Sequence, residues 1–201
     1  KLSNLAVKLI KDKYYRKGYC DIRVIPKRDP HYDTHTVDIT FNIDEGIPYV
    51  VRDVNISGNK ITKDYVIRRE SAIHPGDPVD NVRIDATKSR LMAMNYFRNV
   101  EAFPTATDEQ GKKDVNFQVE EKGTARASIG AGYSIDDGFV GRLQLSESNF
   151  DITDPSTFFR GGGQRVDLLL QLGTQRSDFS LSFTEPWLFN IPLRLDVMGF
   201  Y

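Results

Sequence analysis

The side chains that most often carry chemistry in proteins are few in this sequence. A reactive thiol needs a base beside it, but the three histidines, His31, His35 and His74, lie in polar segments that contain proline. The single cysteine, Cys20, excludes an internal disulfide and a zinc cluster of several thiolates. We interpret Cys20 as a buried structural residue, and no serine, histidine and acid arrangement for nucleophilic catalysis can be singled out.

Two further patterns resemble chemical motifs only superficially. Gly161-Gly162-Gly163-Gln164 lacks the Gly-Lys-Ser/Thr of a phosphate-binding loop and precedes a strand, so it predicts a turn. The pairs Glu120-Glu121 and Asp136-Asp137 are adjacent in extended segments, where neighbouring side chains diverge and cannot converge on one substrate. We therefore expect no enzymatic activity, no metal and no other cofactor.

Composition limits the class of protein further. A chain of 201 residues predicts roughly one to three domains. Its 27 Lys and Arg residues nearly cancel 28 Asp and Glu, so no basic surface indicates a nucleic-acid partner. No apolar run approaches the roughly 20 residues of a membrane helix, but a strand of a membrane barrel needs only about 9 to 11 residues of alternating character.

The first part of the chain predicts a helix followed by two strands. Apolar residues between Leu2 and Ile10 recur with the spacing of one helical face. The helix should end near Gly18, which can act as its C-terminal cap. Strands are expected at 20–26 and 35–44, and the second alternates apolar and polar residues.

The next part predicts a complete β-α-α-β-β unit. A strand at 49–56 is followed by a turn at Ser57-Gly58-Asn59. Thr62 is the expected N-cap of a short helix, with Ile61 and Val66 as its hydrophobic staple. A longer helix should start at about Asp80, and strands are expected at 98–103 and 114–120.

The two parts end alike. Residues 38–45, Asp-Ile-Thr-Phe-Asn-Ile-Asp-Glu, match residues 114–121, Asp-Val-Asn-Phe-Gln-Val-Glu-Glu, position by position in character. Each match follows a predicted helix and a shorter strand. The chain is therefore expected to carry the end of one module and a whole copy of the next.

From Thr124 onward the apolar residues recur at every second position. Alternating segments lie at about 125–135, 139–146, 166–172, 179–184 and 193–197, and Asp136-Asp137-Gly138 predicts a hairpin turn between the first two. Both a soluble β-sandwich and a membrane β-barrel would produce this alternation.

Three features favour the barrel. The polar face carries full charges, connections alternate between short and long, and aromatic residues lie at strand ends, where they would sit at the two membrane interfaces. These aromatic residues are Tyr133, Phe150, Phe158, Phe159, Trp187 and Phe189. Because a membrane strand must have all its backbone groups paired, the strands should close into a ring. Five strands are too few, so we expect a barrel truncated within this sequence.

Four segments together resemble the BamA-type outer-membrane assembly factors. They are Ile56-Ser-Gly-Asn-Lys-Ile-Thr62, Asn95-Tyr-Phe-Arg-Asn-Val100, Asp114-Val-Asn-Phe-Gln-Val-Glu-Glu-Lys122 and Phe183-Thr-Glu-Pro-Trp-Leu-Phe189. The resemblance implies α+β POTRA modules of β-α-α-β-β order, followed by antiparallel strands of a transmembrane barrel. Residues 1–46 would be the C-terminal part of the penultimate POTRA domain, 47–122 the last one, and 124–201 the first strands of the barrel.

The resemblance also implies a function and a location. The protein would be the central component of the machinery that folds and inserts β-barrel proteins in the bacterial outer membrane, with its POTRA part in the periplasm. Its partners would be unfolded barrel clients, accessory lipoproteins at the last POTRA domain and outer-membrane lipids. The family's Arg-Gly-Phe loop motif is absent from this sequence, so two-partner secretion and TamA-like translocation pores stay open as alternatives.

The same resemblance assigns client-binding residues, because an unfolded client can add a strand to an exposed sheet edge. The expected POTRA edge residues are Cys20, Ile22, Val24, Arg98, Val100 and Ala102. The expected residues of a lateral gate on the first barrel strand are Ala127, Ile129, Gly130 and Gly132. An alternative of another class is a soluble or extracellular adhesin, in which the apolar faces of the strands would pack in a dry core.

Overall fold

A computed structural model of the protein describes residues 2–135, 138–174 and 176–201. The chain divides into two compact units. The first comprises Lys1–Ser57, Glu70–Ala93 and Val100–Val119, and the second comprises Gly58–Arg69, Met94–Asn99 and Glu120–Tyr201. No helix in the described part combines the length and the apolar character needed to cross a membrane.

The chain begins with a helix and a hairpin of two strands. Helix α1 covers Leu2–Tyr15, and strands β1 (Arg23–His31) and β2 (Thr36–Asp44) pair antiparallel from Arg23↔Asp44 to His31↔Thr36. Gly18 adopts a φ of +91° after the helix, where a Cβ atom would lie 2.6 Å from the carbonyl oxygen of Tyr49. The expected glycine stop is thus confirmed.

The predicted start of the first strand was wrong. The backbone N–H of Cys20 donates to the carbonyl of Gly18, and that of Ile22 donates to Tyr19, so these groups close turns instead of joining the strand ladder. Strand β1 consequently starts at Arg23 and extends to His31. Cys20 and Ile22 precede it, and both are buried.

The expected β-α-α-β-β order follows. Strand β3 covers Val50–Ser57, helix α2 Asp64–Arg68, helix α3 Asn81–Ala93, strand β4 Phe97–Ala106 and strand β5 Lys112–Glu121. The sheet order is β3-β5-β4, with β3 parallel to β5. The core of the first unit includes Val51, Val54, Ile73, Ile84, Leu91, Val115 and Phe117.

The predicted cap of the short helix was also wrong. The N-cap of α2 is Lys63, and no side chain caps the helix. The hydroxyl of Thr62 instead accepts a hydrogen bond from Asn149 Nδ2 at 2.9 Å. The Thr62 hydroxyl, which the sequence assigned to the helix cap, is therefore engaged by a residue distant in sequence. Because the N-cap is Lys63, Ile61 and Val66 no longer occupy the positions of a hydrophobic staple.

Five antiparallel strands form the last sheet, in the order β10-β9-β8-β7-β6. They are β6 (Ala125–Ser134), β7 (Gly138–Phe150), β8 (Gln164–Gly173), β9 (Ser177–Glu185) and β10 (Leu195–Phe200). The five predicted strands are confirmed, although β10 starts two residues later than expected. Asp136 and Asp137 of the predicted hairpin turn lie outside the described residues, and Gly138 has a φ of +72°.

The register of this sheet separates an apolar face from a polar one. Leu145 pairs with Leu168, which pairs with Leu181, whereas the adjacent row contains Ser146, Asp167 and Ser182. No residue of β8, β9 or β10 is buried. The sheet is open along β6 and β10 in the described chain, so no closed barrel is present there.

Candidate functional site

Strand β6 is an edge strand with an accessible backbone. In the described part of the chain it pairs only with β7, from Ala125↔Glu147 to Ser134↔Gly138. Each of its side chains that the structure describes is exposed, and Ile129 is 86% exposed. A free edge of this kind presents N–H and C=O groups to which another strand can pair.

The four predicted gate residues all lie on β6. Ala127 and Ile129 belong to the apolar face, because they pair with Leu145 and Leu143. Gly130 lies on the polar face opposite Arg142, and Gly132 lies on the same face. A Cβ atom added at either glycine would meet no described atom within 4 Å, so steric crowding in the described chain does not require these glycines.

The predicted POTRA edge residues are only partly brought to strand edges. Strand β4 is an edge of the three-stranded sheet and contains Arg98, Val100 and Ala102. Arg98 is exposed and bonds Glu120 of β5 at 3.1 Å, whereas Val100 is fully buried. Pro104, which has no N–H group, also lies in β4, as is usual for edge strands.

The first hairpin holds the remaining predicted edge residues. Val24 lies in β1, where it is buried, while Cys20 and Ile22 precede the strand. Burial raises the pKa of the Cys20 thiol despite the nearby Lys113 ammonium, so the cysteine is not activated. Among the described residues no group of three His, Cys, Asp or Glu side chains could hold a metal ion.

A cluster that the sequence did not reveal lies in the second unit, at the end of the sheet where β6 begins. The junction loop, residues 60–63, precedes helix α2 and contacts the connection between β7 and β8. The amide of Asn149 donates from Nδ2 to Thr62 Oγ1 and accepts at Oδ1 from the N–H of Gly163, both at 2.9 Å. Asn149 and Thr62 are each only 2% exposed.

Main-chain contacts reinforce the same cluster. The N–H of Lys63 donates to the carbonyl of Gly161 at 2.9 Å, and the N–H of Gly161 donates to the carbonyl of Asn149 at 2.7 Å. Gly161 has a φ of +108°, and a Cβ atom there would collide with the carbonyl oxygen of Ile61. The glycine triplet lies in a connection, as predicted, and it also permits this close approach of two backbones.

Lys63 forms the charged part of the cluster. Its ammonium lies 2.6 Å from Asp151 Oδ2 and 3.3 Å from Asp154 Oδ2. Burial favours the neutral form of Asp151, but hydrogen bonds from Lys63 and Thr153 outweigh it and lower the pKa of the carboxyl. The hydrogen bond to Asp151 raises the pKa of Lys63, so the shifts of both partners favour the ion pair.

Glu121 holds the other side of the junction loop. Its carboxylate accepts hydrogen bonds from the N–H groups of Lys60, Ile61 and Thr62 at 2.8, 2.9 and 2.6 Å. Burial opposes the charged form, but these hydrogen bonds prevail, and the pKa of Glu121 is lowered. The charged carboxylate therefore stabilises the conformation of the loop.

The predicted interface aromatics lie at both ends of the five-stranded sheet. Tyr133 is exposed at the β6–β7 turn, where its ring lies 5.1 Å from that of Phe139. At the opposite end, Phe150 stacks on Phe159 with ring centroids 5.9 Å apart. The other aromatic residues at that end differ in exposure: Trp187 is half-buried with its ring 5.4 Å from the Arg69 guanidinium, and Phe158 and Phe189 are each 83% exposed.

Comparison with known proteins identifies the family. The profile of the POTRA family, described as surface antigen variable number repeat, matches residues 3–46 and 49–122. The chain therefore belongs to the POTRA family. Within it, the chain is of the type found in the outer-membrane assembly factor BamA, as the following relatives show.

The BamA of Neisseria meningitidis serogroup B is 31% identical over 186 residues, which cover 90% of this chain and 22% of that protein. The BamA of Neorickettsia risticii is 27% identical, over 92% of this chain and 24% of that protein. The crystal structure of Haemophilus ducreyi BamA lacking POTRA domains 1–3 superimposes with a TM-score of 0.83 at 25% identity, over 99% of this chain and 36% of that one. The chain thus spans about a quarter of the length of the two curated relatives.

A more distant likeness concerns the fold alone. CdiB from Escherichia coli superimposes with a TM-score of 0.53 at 13% identity, over 97% of this chain and 34% of that one.

Proposed function

We propose that this chain is part of an outer-membrane assembly factor, which folds β-barrel proteins and inserts them into the bacterial outer membrane without a catalytic step. The observation that carries this proposal is the five-stranded sheet, whose apolar face is uncovered and whose first strand is a free edge in the described chain. The similarity to two BamA proteins over about 90% of the chain supports the same conclusion.

We further propose that the five strands are the first strands of a transmembrane barrel in a longer protein. Strand β8 has 10 residues. At a rise of about 3.4 Å per residue and a tilt of about 40°, such a strand spans roughly 25 Å, the height of the apolar band of a membrane barrel. An adhesin would need a second layer over the apolar face, and no residue of β8, β9 or β10 is buried by one.

The polar face has the character of a wet barrel interior. Arg142 bonds Gln171 at 2.9 Å across two strands, and Arg165 bonds Asp167 at 2.6 Å within β8. Arg194 bonds Asp196 at 2.8 Å on the same face. Charged pairs facing hydrocarbon would be strongly unfavourable, so these side chains belong on the water-filled side.

The proposed mechanism is strand addition. A client would pair with the free edge of β6, which forms one side of a lateral gate, and would first be held at POTRA edges such as β4. Gly130 and Gly132 would keep the gate strand weakly paired, since glycine lowers the stability of a strand. The clients are unfolded barrel proteins, the accessory partners are lipoproteins at the last POTRA domain, and the location is the outer membrane with the POTRA part in the periplasm.

The domain boundaries follow from the same proposal. Residues 1–46 would complete a penultimate POTRA domain, 47–122 would form the last one, and 124–201 would start the barrel. Because the likeness to CdiB concerns the fold alone, it supports the barrel architecture and does not favour a secretion function.

The test uses the full-length protein in phospholipid vesicles with a urea-unfolded outer-membrane barrel as client. Assembly is measured as the fraction of client that becomes resistant to added protease. We expect faster assembly than in protein-free vesicles, and also faster than in vesicles carrying an unrelated barrel at equal density. Equal rates in all three would contradict the proposed function.

A further inference from the structure

Resting on the proposed function, we propose that the Thr62–Asn149 hydrogen bond is a positioning contact that holds the base of the β6–β7 hairpin, and therefore the gate strand, in the geometry that client strands need. Neither residue would touch the client. Thr62 belongs to the junction loop, residues 60–63, and Asn149 binds this loop from β7. Both ends of the hairpin are attached to the loop.

The first argument is the burial of a polar pair. Asn149 is the penultimate residue of β7, and it is 2% exposed. Its amide uses both ends, bonding Thr62 Oγ1 and the N–H of Gly163. An apolar side chain could fill such a site, but it would not fix the orientation of the junction loop relative to the hairpin. The amide does so, because any shift that broke one of its hydrogen bonds would leave a buried polar group without a partner.

The second argument is connectivity. Glu121 binds three N–H groups of the junction loop, and it lies four residues before Ala125, the first residue of β6. Asn149 binds the same loop from the end of β7. The entry to the hairpin and its exit are therefore attached to one short segment, and Ser148 Oγ further bonds the carbonyl of Thr124 at 3.3 Å.

The third argument is the lack of space for an alternative arrangement. A Cβ atom at Gly162 would lie 2.8 Å from Asp151 Cγ, and one at Gly163 would lie 2.9 Å from Val66 Cγ1. Lys63 also forms an ion pair with Asp151, which is 1% exposed. The hairpin base cannot slide against the junction loop without breaking several of these contacts together, so the loop sets the position of the gate strand.

The decisive variant is Thr62→Val in the full-length protein, because valine keeps the shape of threonine and has a methyl group in place of the hydroxyl. Thr62→Ser restores the hydroxyl. Thr157→Val is the matched control, since the Thr157 hydroxyl bonds Asp154 and Arg160 inside the β7–β8 connection and not the junction loop. Asn149→Ser, a milder change than alanine, tests the other partner.

Two measurements are made on the full-length protein in phospholipid vesicles. One is amide hydrogen exchange within residues 125–133, and the other is the rate of client assembly. Thr62→Val is expected to speed exchange in β6 by about tenfold, the change expected for one lost buried hydrogen bond, and to slow assembly severalfold. Asn149→Ser should have at least the same effect, because it also removes the hydrogen bond from the N–H of Gly163. Adding Thr62→Val to Asn149→Ser should change little, because the Thr62–Asn149 hydrogen bond is already lost in Asn149→Ser. Thr62→Ser and Thr157→Val should behave like the wild type.

Unchanged β6 exchange in Thr62→Val would overturn the inference, and so would faster exchange with unchanged client assembly. The proposed function fails separately, if the wild-type protein does not assemble clients. In that case the exchange measurement still decides whether the contact holds the gate strand.

Discussion

Placing an arginine on either face of β8 tests the membrane assignment. Leu168 and Leu169 are adjacent residues of the same type near the middle of the strand, but they lie on opposite faces of the sheet. Leu168 pairs with Leu145 and Leu181, whereas Leu169 pairs with Gln144 and Ser180. Leu168→Arg would therefore place the guanidinium in hydrocarbon, and Leu169→Arg would place it in a polar interior.

The magnitude follows from the depth of the residue. An arginine at the middle of the bilayer on the lipid face of a barrel destabilises it by about 2–4 kcal/mol. This is roughly a 30- to 700-fold change in the folding equilibrium. On the polar face the guanidinium stays hydrated and can approach Asp167, so we expect Leu169→Arg to change stability by less than about 1 kcal/mol.

The assay is reversible urea unfolding of the full-length protein in phospholipid vesicles, followed by tryptophan fluorescence and by the gel mobility of unheated samples. The expected result is a lower urea midpoint for Leu168→Arg and a midpoint close to the wild type for Leu169→Arg. Equal losses in both variants, or a larger loss for Leu169→Arg, would refute the assignment of the apolar face to lipid.

Three further predictions concern the strand edges and the junction loop. Replacing Gly130 and Gly132 together with valine should slow client assembly in cells while the protein still inserts, because valine stiffens the gate strand and blocks close backbone approach; unchanged assembly counts against the gate. A cysteine at Arg98 on the edge strand β4 should form disulfides with cysteines in a client strand more readily than one at Gln118 on the central strand β5, and equal yields would argue against pairing at this edge. The stabilisation from Glu121, whose pKa is lowered in the folded state, should be complete above its ordinary value of 4.5 and should disappear as the pH falls through the lowered pKa. Protection of the junction-loop amides, taken relative to the intrinsic exchange rate at each pH, should thus fall in acid for the wild type, and Glu121→Gln should show low protection already at neutral pH; matching protection profiles would contradict this.

Much of the local structure could be predicted from the sequence, because it depends on the spacing of apolar residues. The elements α1, β2 and β6 to β9 form where the spacing of apolar residues predicts them. The burial expected for the apolar faces of α1 and β2 was wrong, because Leu5 and Leu9 are 55% and 60% exposed and Val37 is 54% exposed. The matching segments 38–45 and 114–121 lie almost wholly in strands β2 and β5, each of which follows a helix and another strand. The preceding strands were expected to be shorter, but β1 and β4 are as long as the strands they precede. The glycine triplet and Gly18 were correctly assigned to turns because glycine is favoured wherever φ is positive.

The two errors have different causes, a distant hydrogen-bond partner in one case and a local turn in the other. Thr62 has the sequence context of an N-cap, yet its hydroxyl bonds a residue 87 positions away. Cys20 and Ile22 continue the apolar pattern of a strand, yet their N–H groups close turns beside Gly18. For Thr62, a local capping preference worth about 1 kcal/mol was outweighed by a tertiary contact. For Cys20 and Ile22, turn hydrogen bonds after the helix delayed the start of the strand.

The amino-acid sequence by itself determined which faces of the strands are apolar, where the helices and most strands lie, and which family the chain resembles, since periodicity and short motifs are local properties. Only the tertiary structure decided that β6 is an open edge in the described chain, and that Asn149, Glu121 and the glycine triplet meet the junction loop. Those contacts join segments far apart in the chain, and their hydrogen bonds exist only once the fold has buried both partners together.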